Sequence, residues 1–383
     1  MAPNEKNSAL SDDHRFPCTA CGADMRFDPE RGDLVCTHCG AHETIETGGA
    51  MPPREMDFDA ARAPGHLHHG DLFQLALEGA PETAPVTEEV RTTTCPNCGA
   101  RLTLDDTVHA TECPYCATPV VTDTGAHRQI KPQGVLPFAM SEERAHQAMN
   151  DWLGQLWFAP NALKQYARKG RKLNGIYMPY WTFDAQTETE YSGERGTDYY
   201  TTVQVNGKTQ RRRRTKWRRV RGQVARFFDD VLVVASSALP VKYVSGLAPW
   251  DLAALEPYIP DYLAGYRAES YTVSLDGGFS HARDQMERVI TRDIKFDIGG
   301  DRQRIHQMTP RYGDITYKHI LLPVWTAAYK FRGKSYRFVV NGRTGQVQGE
   351  RPYSAVKIAF AVILGLIVAA VVGYFVAMNQ QGY

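Results

Sequence analysis

The sequence predicts an α+β protein: two small four-cysteine zinc ribbons, an α+β body with antiparallel hairpins, and one C-terminal transmembrane helix. Three observations lead there. The cysteines repeat at metal-ligand spacing, an uncharged apolar run lies near the C-terminus, and helical and extended patterns alternate in the basic stretch between them.

All eight cysteines fall into two sets of identical spacing, Cys18-x2-Cys21-x14-Cys36-x2-Cys39 and Cys95-x2-Cys98-x14-Cys113-x2-Cys116. Each member of the second set lies 77 positions after its counterpart, and Gly22, Ala23 and Asp28 recur as Gly99, Ala100 and Asp105. A two-residue gap lets a tight turn aim two thiolates at one ion, and the glycine relieves the backbone where it curls round the metal. Two such knuckles complete a tetrahedral site with no open position, so two structural Zn2+ ions are expected. Disulfides or a redox pair are the competing reading; they suit a secreted chain, and nothing else here looks secreted.

Residues Ile358 to Met378 are 21 consecutive positions without a charge. A helix of that length is about 31 Å long, enough to cross the hydrocarbon core. A buried core helix would carry polar breaks. Only Asn379 to Tyr383 follow, and the polar N-terminus has no signal-peptide core, so a tail-anchored, single-pass protein is expected. Arg343, Arg351 and Lys357 flank the run on its N-terminal side, and no basic residue follows it. That asymmetry, with eight reduced thiolates, places the N-terminal bulk in the cytoplasm. Within the run Ala361, Gly365, Ala369, Gly373 and Ala377 recur every four residues. Such a stripe suits close helix–helix packing in lipid, as a homodimer or with another single-span protein. Ala and Gly are also common in membrane helices, which gives the stripe an ordinary explanation.

The net charge of +1 conceals a division. Residues 1–125 hold 21 acids and 8 bases, and the remainder 22 acids and 36 bases. Nucleic-acid-binding ribbons need a cationic face, so DNA binding by these acidic ribbons is disfavoured.

Along the chain we expect disorder over 1–14, ribbon one over 15–46, a Pro/Gly/Ala-rich linker over 47–92 and ribbon two over 93–123. The body follows over 128–352, the transmembrane helix over 355–378 and a short tail over 379–383. The linker has a helical patch at Leu72, Phe73, Leu75 and Leu77, and its His66, His68 and His69 read as solvated. In the body, Ser141 is a candidate N-cap for a helix with Ala145, Met149, Trp152, Leu153 and Leu156 on one face. A second helix spans Asn161 to Lys169, and another Phe279 to Arg292 with Met286, Val289 and Ile290 inward. Strands are expected at Ile176 to Trp181, Tyr199 to Val205, Ile315 to Tyr329 and Ser335 to Val347, with hairpin turns at Asn206-Gly207 and Asn341-Gly342. Pro179-x-Trp181-Thr182 is echoed by Pro323-x-Trp325-Thr326, and Val205-Asn206-Gly207 by Val340-Asn341-Gly342, which suggests a duplicated unit. Trp181 and Trp325 read as core anchors.

Lys208, Arg211, Arg212, Arg213, Arg214, Lys216, Arg218, Arg219 and Arg221 put nine cations in 14 residues. Following an Asn-Gly turn, this run is expected to be a strand charged on both faces, at a sheet edge or in a protruding ribbon. Three readings compete: cross-strand pairing with Asp184, Glu188, Glu190, Glu194 and Asp198; attraction to anionic lipid headgroups of the inner leaflet; and nucleic acid, with Trp217 as a stacking platform. Five acids cannot neutralise nine bases, and the tether makes lipid the preferred partner.

No phosphate loop is present, since Thr202 stands where Gly207-Lys208-Thr209 would need its earlier glycine. There is also no DEAH-like box, G-x-S-x-G, H-E-x-x-H or dinucleotide fingerprint, and every cysteine is committed to metal. A catalytic site is therefore not expected. The paired ribbons, Gly175-Ile-Tyr-Met-Pro-Tyr-Trp181, Arg226-Phe-Phe-Asp-Asp-Val231 and Arg337-Phe-Val-Val-Asn-Gly-Arg-Thr-Gly345 resemble a bacterial family of tail-anchored double zinc-ribbon proteins. Members are commonly labelled "primosomal protein N′ (replication factor Y), superfamily II helicase". The motor motifs that label implies are missing here, so helicase activity is not expected. The resemblance further implies association with flotillin-like or phage-shock-type membrane-stress assemblies. The resulting expectation is a non-enzymatic, membrane-anchored zinc-binding adaptor with a protein partner; a membrane-tethered nucleic-acid-binding protein is the alternative.

Overall fold

The computed structural model describes residues 16–46, 52–62, 87–103, 110–116, 118–121, 125–158, 160, 173–205, 208–331, 334–350 and 353–380. Outside them lie the segment 1–14, the patch at Leu72 to Leu77, the three linker histidines, the helix expected at Asn161 to Lys169, the Asn206-Gly207 turn and the last three residues.

The fold is α+β. The first cysteine set sits in an antiparallel sheet of β1 (Met25–Asp28), β2 (Asp33–Cys36) and β3 (His42–Glu43). Next come β4 (Met56–Asp57) and α1 (Phe58–Arg62). Five strands frame the second set: β5 (Thr87–Thr94), β6 (Arg101–Thr103), β7 (Ala110–Glu112), β8 (Pro119–Val121) and β9 (Gly125–Ile130). The body opens with β10 (Gly134–Val135), α2 (Glu142–Gln155), β11 (Asn174–Val205), β12 (Lys208–Val234) and α3 (Val241–Ser245). It continues through β13 (Glu256–Pro257), β14 (Arg267–Ala268), α4 (Leu275–Ile298), β15 (Arg302–Phe331), β16 (Lys334–Asn341) and β17 (Val347–Gly349). The last element is α5 (Ala355–Gln380).

Three long strands organise the body. β11 lies between β12 and β15, antiparallel to both. They hold 32, 27 and 30 residues, several times the usual five or six. At the base, Ile176 to Phe183 and His319 to Thr326 are buried at every position, so both faces of the sheet are covered. Ile176, Met178, Tyr180, Ile320, Leu322 and Val324 point to one face and Tyr177, Leu321 and Trp325 to the other, as the two-residue period requires.

Further along, α4 covers one face of the sheet with Leu275, Ala282, Met286, Ile290, Ile294 and Ile298 against Phe183, Ala185 and Tyr191. The helix is longer than the expected Phe279 to Arg292. Ser274 caps it, its side chain accepting from the Gly277 amide at 3.2 Å. The poor helix formers Gly277 and Gly278 hide that start from periodicity. Gly278 is needed: a Cβ there would meet Trp181 Cδ1 at 2.6 Å.

The two repeated tryptophans hold helix starts in exchange. Trp181 Nε1 donates to Val273 O at 3.0 Å, and Trp325 Nε1 to Met140 O at 3.1 Å. Each acceptor immediately precedes the N-cap of a helix, Ser274 for α4 and Ser141 for α2. Thus the tryptophan of β11 anchors the helix leading into β15, and the tryptophan of β15 anchors the helix before β11. Of the Asn-Gly half of the echo, only Asn341-Gly342 lies among the described residues. Asn341 ends β16 fully buried, donating to Leu247 O at 2.9 Å and accepting from the Arg343 and Thr344 amides. It closes the antiparallel β16–β17 connection as an Asx turn, where the expected turn at Asn341-Gly342 divides Ser335 to Val347.

Part of the expected linker is built into the body. β4 pairs with β15, Asp57 opposite Thr316, and Phe58 is buried against Phe183 and Phe279. Glu55 meets Lys318 at 3.1 Å, and Lys318 also reaches Asp230 at 2.8 Å.

His319 gives this core a pH signature. Its ring is buried against Trp181 and Tyr271, with Nδ1 donating to Ile130 O at 2.8 Å. Burial lowers its pKa from 6.5 to about 4, with the Ile130 hydrogen bond pulling the other way. Unfolded, this histidine takes up a proton below pH 6.5 while the folded one resists, so its contribution is complete above 6.5 and lost as pH falls through 4. At pH 4.5 wild type should have lost about 2–3 kcal/mol more than His319→Gln, relative to pH 7, in paired urea unfolding curves. Parallel curves would assign the acid sensitivity elsewhere.

Candidate metal centres and the cationic arm

The first cysteine set converges through two matching turns. Gly22 and Gly40, both at φ +74, donate back to Cys18 O at 2.8 Å and Cys36 O at 3.0 Å. Positive φ is glycine's territory, which is why each pair is followed by one. In the second set Gly99 (φ +73) does the same to Cys95 O at 2.9 Å, and Cys113 N donates to Thr118 O at 2.8 Å.

The thiols pair crosswise between turns: Cys18 with Cys39 at 3.6 Å, Cys21 with Cys36 at 3.5 Å, Cys95 with Cys116 at 3.6 Å and Cys98 with Cys113 at 3.6 Å. Within each set all four sulfurs lie within 4.8 Å of one another. Four thiolates on a tetrahedral ion at about 2.3 Å would stand about 3.8 Å apart, whereas a disulfide needs about 2.05 Å. The residues fit a zinc ion in each set, and the cysteines are free thiols. The thiols also titrate apart. The Cys39 amide, as hydrogen-bond donor, pulls Cys36 down to about 6, and the Cys98 hydrogen bond brings Cys113 to about 5 while raising Cys98 itself. One thiolate forms at the expense of its neighbours, the conflict a dication relieves.

The two sets sit on opposite faces of the sheet at its base. The first joins the core of Tyr177, Leu321 and Trp325. Phe27 lies edge-on to Tyr262 at 5.4 Å, and the Arg26 guanidinium lies over Tyr266 at 5.2 Å. The second joins the core of Ile176, Met178 and Val324. Tyr115, between Cys113 and Cys116, donates to Glu269 Oε2 at 2.5 Å, and Ser236 donates to Glu269 Oε1 at 2.6 Å. Burial raises Glu269 to about 7, with the Ser236 and Tyr115 hydrogen bonds opposing it. Spacing alone could not reveal Glu269, 153 positions beyond Cys116.

β15 accompanies β11 only as far as Gly196 opposite Arg302, while β12 continues to Val205 opposite Lys208. The last nine residues of β11 and their partners thus form a two-stranded arm roughly 30 Å long. All nine predicted cations lie on β12, and Arg211 to Arg214, Lys216, Arg218, Arg219 and Arg221 are exposed.

Their predicted acidic partners mostly turn elsewhere. Glu190 pairs with Arg311 at 2.7 Å and Glu194 with Arg304 at 3.5 Å, both on β15. Asp184 accepts from the Asp230 amide, and Asp198 meets Arg213 and Arg302, each at 3.5 Å. Among the described residues Arg213 is the one member of the run paired with a carboxylate, and Arg211 lies over the Tyr200 ring at 4.7 Å. Cross-strand pairing is thus limited to Asp198 with Arg213, while Glu190 and Glu194 are taken by arginines of β15. Trp217 is also covered, with Arg304 over its ring at 3.9 Å.

α5 is long and apolar enough to cross a membrane, and its window Ala355–Tyr374 has no buried residue. Ala361, Gly365, Ala369 and Gly373 lie along it; the side chain of Ala377 falls outside the described residues.

The chain is similar to the uncharacterized protein YdjG of Bacillus subtilis (strain 168), 26% identical over 355 residues that cover 90% of this chain and 92% of the relative. No family model and no solved structure matches it.

Proposed function

We propose that this chain is a non-enzymatic, membrane-anchored zinc-binding adaptor. Both four-cysteine units are structural zinc ribbons that clamp the sheet, α5 spans a bacterial inner membrane with the bulk of the chain in the cytoplasm, and the cationic arm meets anionic lipid headgroups. One observation carries the reading: the nine-cation run, which the sheet's own carboxylates leave largely unpaired. Each basic residue near an anionic leaflet contributes about 1 kcal/mol. Nucleic acid is the weaker alternative, because Arg304 already occupies the face of Trp217 on which a base would stack.

Full-length protein in neutral-lipid nanodiscs should bind anionic vesicles at least about ten-fold more tightly than neutral ones at low salt, and lose that preference as salt rises. Replacing Arg211, Arg212, Arg213 and Arg214 together by Gln should remove it. Equal binding to both vesicles would make the run a solvated sheet edge. Tighter binding to single-stranded RNA than to vesicles would favour the alternative.

A further inference from the structure

The turn that follows α2 lies at the mouth of α5. Phe158 O accepts from Ser354 N at 2.8 Å, and Trp157 O accepts from Lys357 Nζ at 3.2 Å. Ser354 caps the start of α5, its Oγ accepting from Lys357 N at 3.4 Å. Residues some 200 positions apart in sequence are thus joined at the level where the apolar helix begins.

This turn exposes large aromatic surface. Trp157 is 75% exposed, Phe158 39% and Tyr353 61%. Trp152, five residues before Trp157, instead packs edge-on to Phe338 at 5.7 Å. Tryptophan and tyrosine beside a lysine at the end of an apolar helix make up the composition that settles at the headgroup level of a bilayer, where the ring is partly dehydrated and its polar edge stays wet.

We infer that the Trp157-Phe158 turn is a second membrane contact, a foot that enters the headgroup–acyl boundary beside the span. The inference rests on the reading of α5 as a transmembrane helix. It adds an orientation. The foot belongs to the base of the sheet, because Phe338, against which Trp152 packs, pairs with Ala327 on β15. The arm ends 31 residues up β11 from Asn174, roughly 100 Å along the strand. With the foot on the leaflet, the arm reaches headgroups of the same membrane only if the sheet lies along the surface.

The test is tryptophan emission of the full chain in nanodiscs, made either with ordinary lipids or with lipids brominated near the glycerol end of the acyl chains. Among the described tryptophans Trp157 is the most exposed, so brominated lipid should quench wild type, and Trp157→Phe should remove at least half of that quenching. Bromines near the chain ends should quench less. Equal quenching of wild type and Trp157→Phe, with both proteins in discs, overturns the foot and leaves the span intact. Release of wild type from native membranes by alkaline carbonate overturns the span and the foot together.

Discussion

Cys113→Ser should leave little folded protein and one zinc per surviving chain, whereas Cys36→Ser should also lose one zinc but retain a folded body. Two zinc ions per wild-type chain are expected by native mass spectrometry. Each structural site contributes its metal-binding free energy, apparent values of about 10–16 kcal/mol in small domains, to folding. Both cysteines are buried; what separates their sites is that three cysteines are buried in the second set and two in the first. Cys95, Cys113 and Cys116 are buried together with Tyr115 in the core of Ile176, Met178 and Val324, and Tyr115 anchors the buried Glu269. Cys21 and Cys39 are exposed at the other site. A chelator should accordingly remove the first equivalent well before the second. Since a domain is stable by only about 5–15 kcal/mol, exposing that second core exceeds what the rest can hold. A Cys113→Ser chain with wild-type urea stability would refute the clamp, as would simultaneous release of both ions.

The second large effect belongs to Trp181. Trp181→Ala should destabilise the chain by about 3–5 kcal/mol, the cost of deleting a buried tryptophan with little room to collapse. The ring is enclosed by Tyr271, Tyr317, His319 and Gly278, and its nitrogen holds Val273 O, which would be left without that donor. Trp325→Ala should behave alike through Met140 O and α2. Trp217→Ala at the root of the arm should cost under about 1 kcal/mol, since the ring is only half-buried. Urea midpoints of the full chain in one detergent would rank the three. Equal effects at Trp181 and Trp217 would contradict the exchange of helix anchors.

The cysteine spacing and the apolar run were legible because each is a local pattern with one physical use. The helix α2 was legible too: Ala145, Met149 and Leu153 are buried and Trp152 and Leu156 pack beside them, as the period predicts. The length of β11 was not. Its middle opens on Thr187-Glu188-Thr189-Glu190, contains Gly193 and Gly196, and falls between the strands expected at Ile176 to Trp181 and Tyr199 to Val205. Those glycines mark close approach within a continuous strand, for a Cβ at Gly193 would collide with Arg304 O. Nor could composition foretell which arginines the acids of β11 choose. Register decides that, setting Glu190 and Glu194 beside Arg311 and Arg304 of β15.

The outer edge of β12 has a consequence for how many such molecules can crowd together. Along its 27 residues no further strand pairs with it, apart from β11 on its inner side, among the described residues. An open edge of that length is a template for a second copy. Two copies meeting there would bring one arginine run against another, and their mutual repulsion would oppose that pairing. A polyanion would lift that barrier. If an anionic surface gathers these chains, as proposed, it would also make it easier for their arms to zip side by side, so crowding at the surface and sheet extension would reinforce each other.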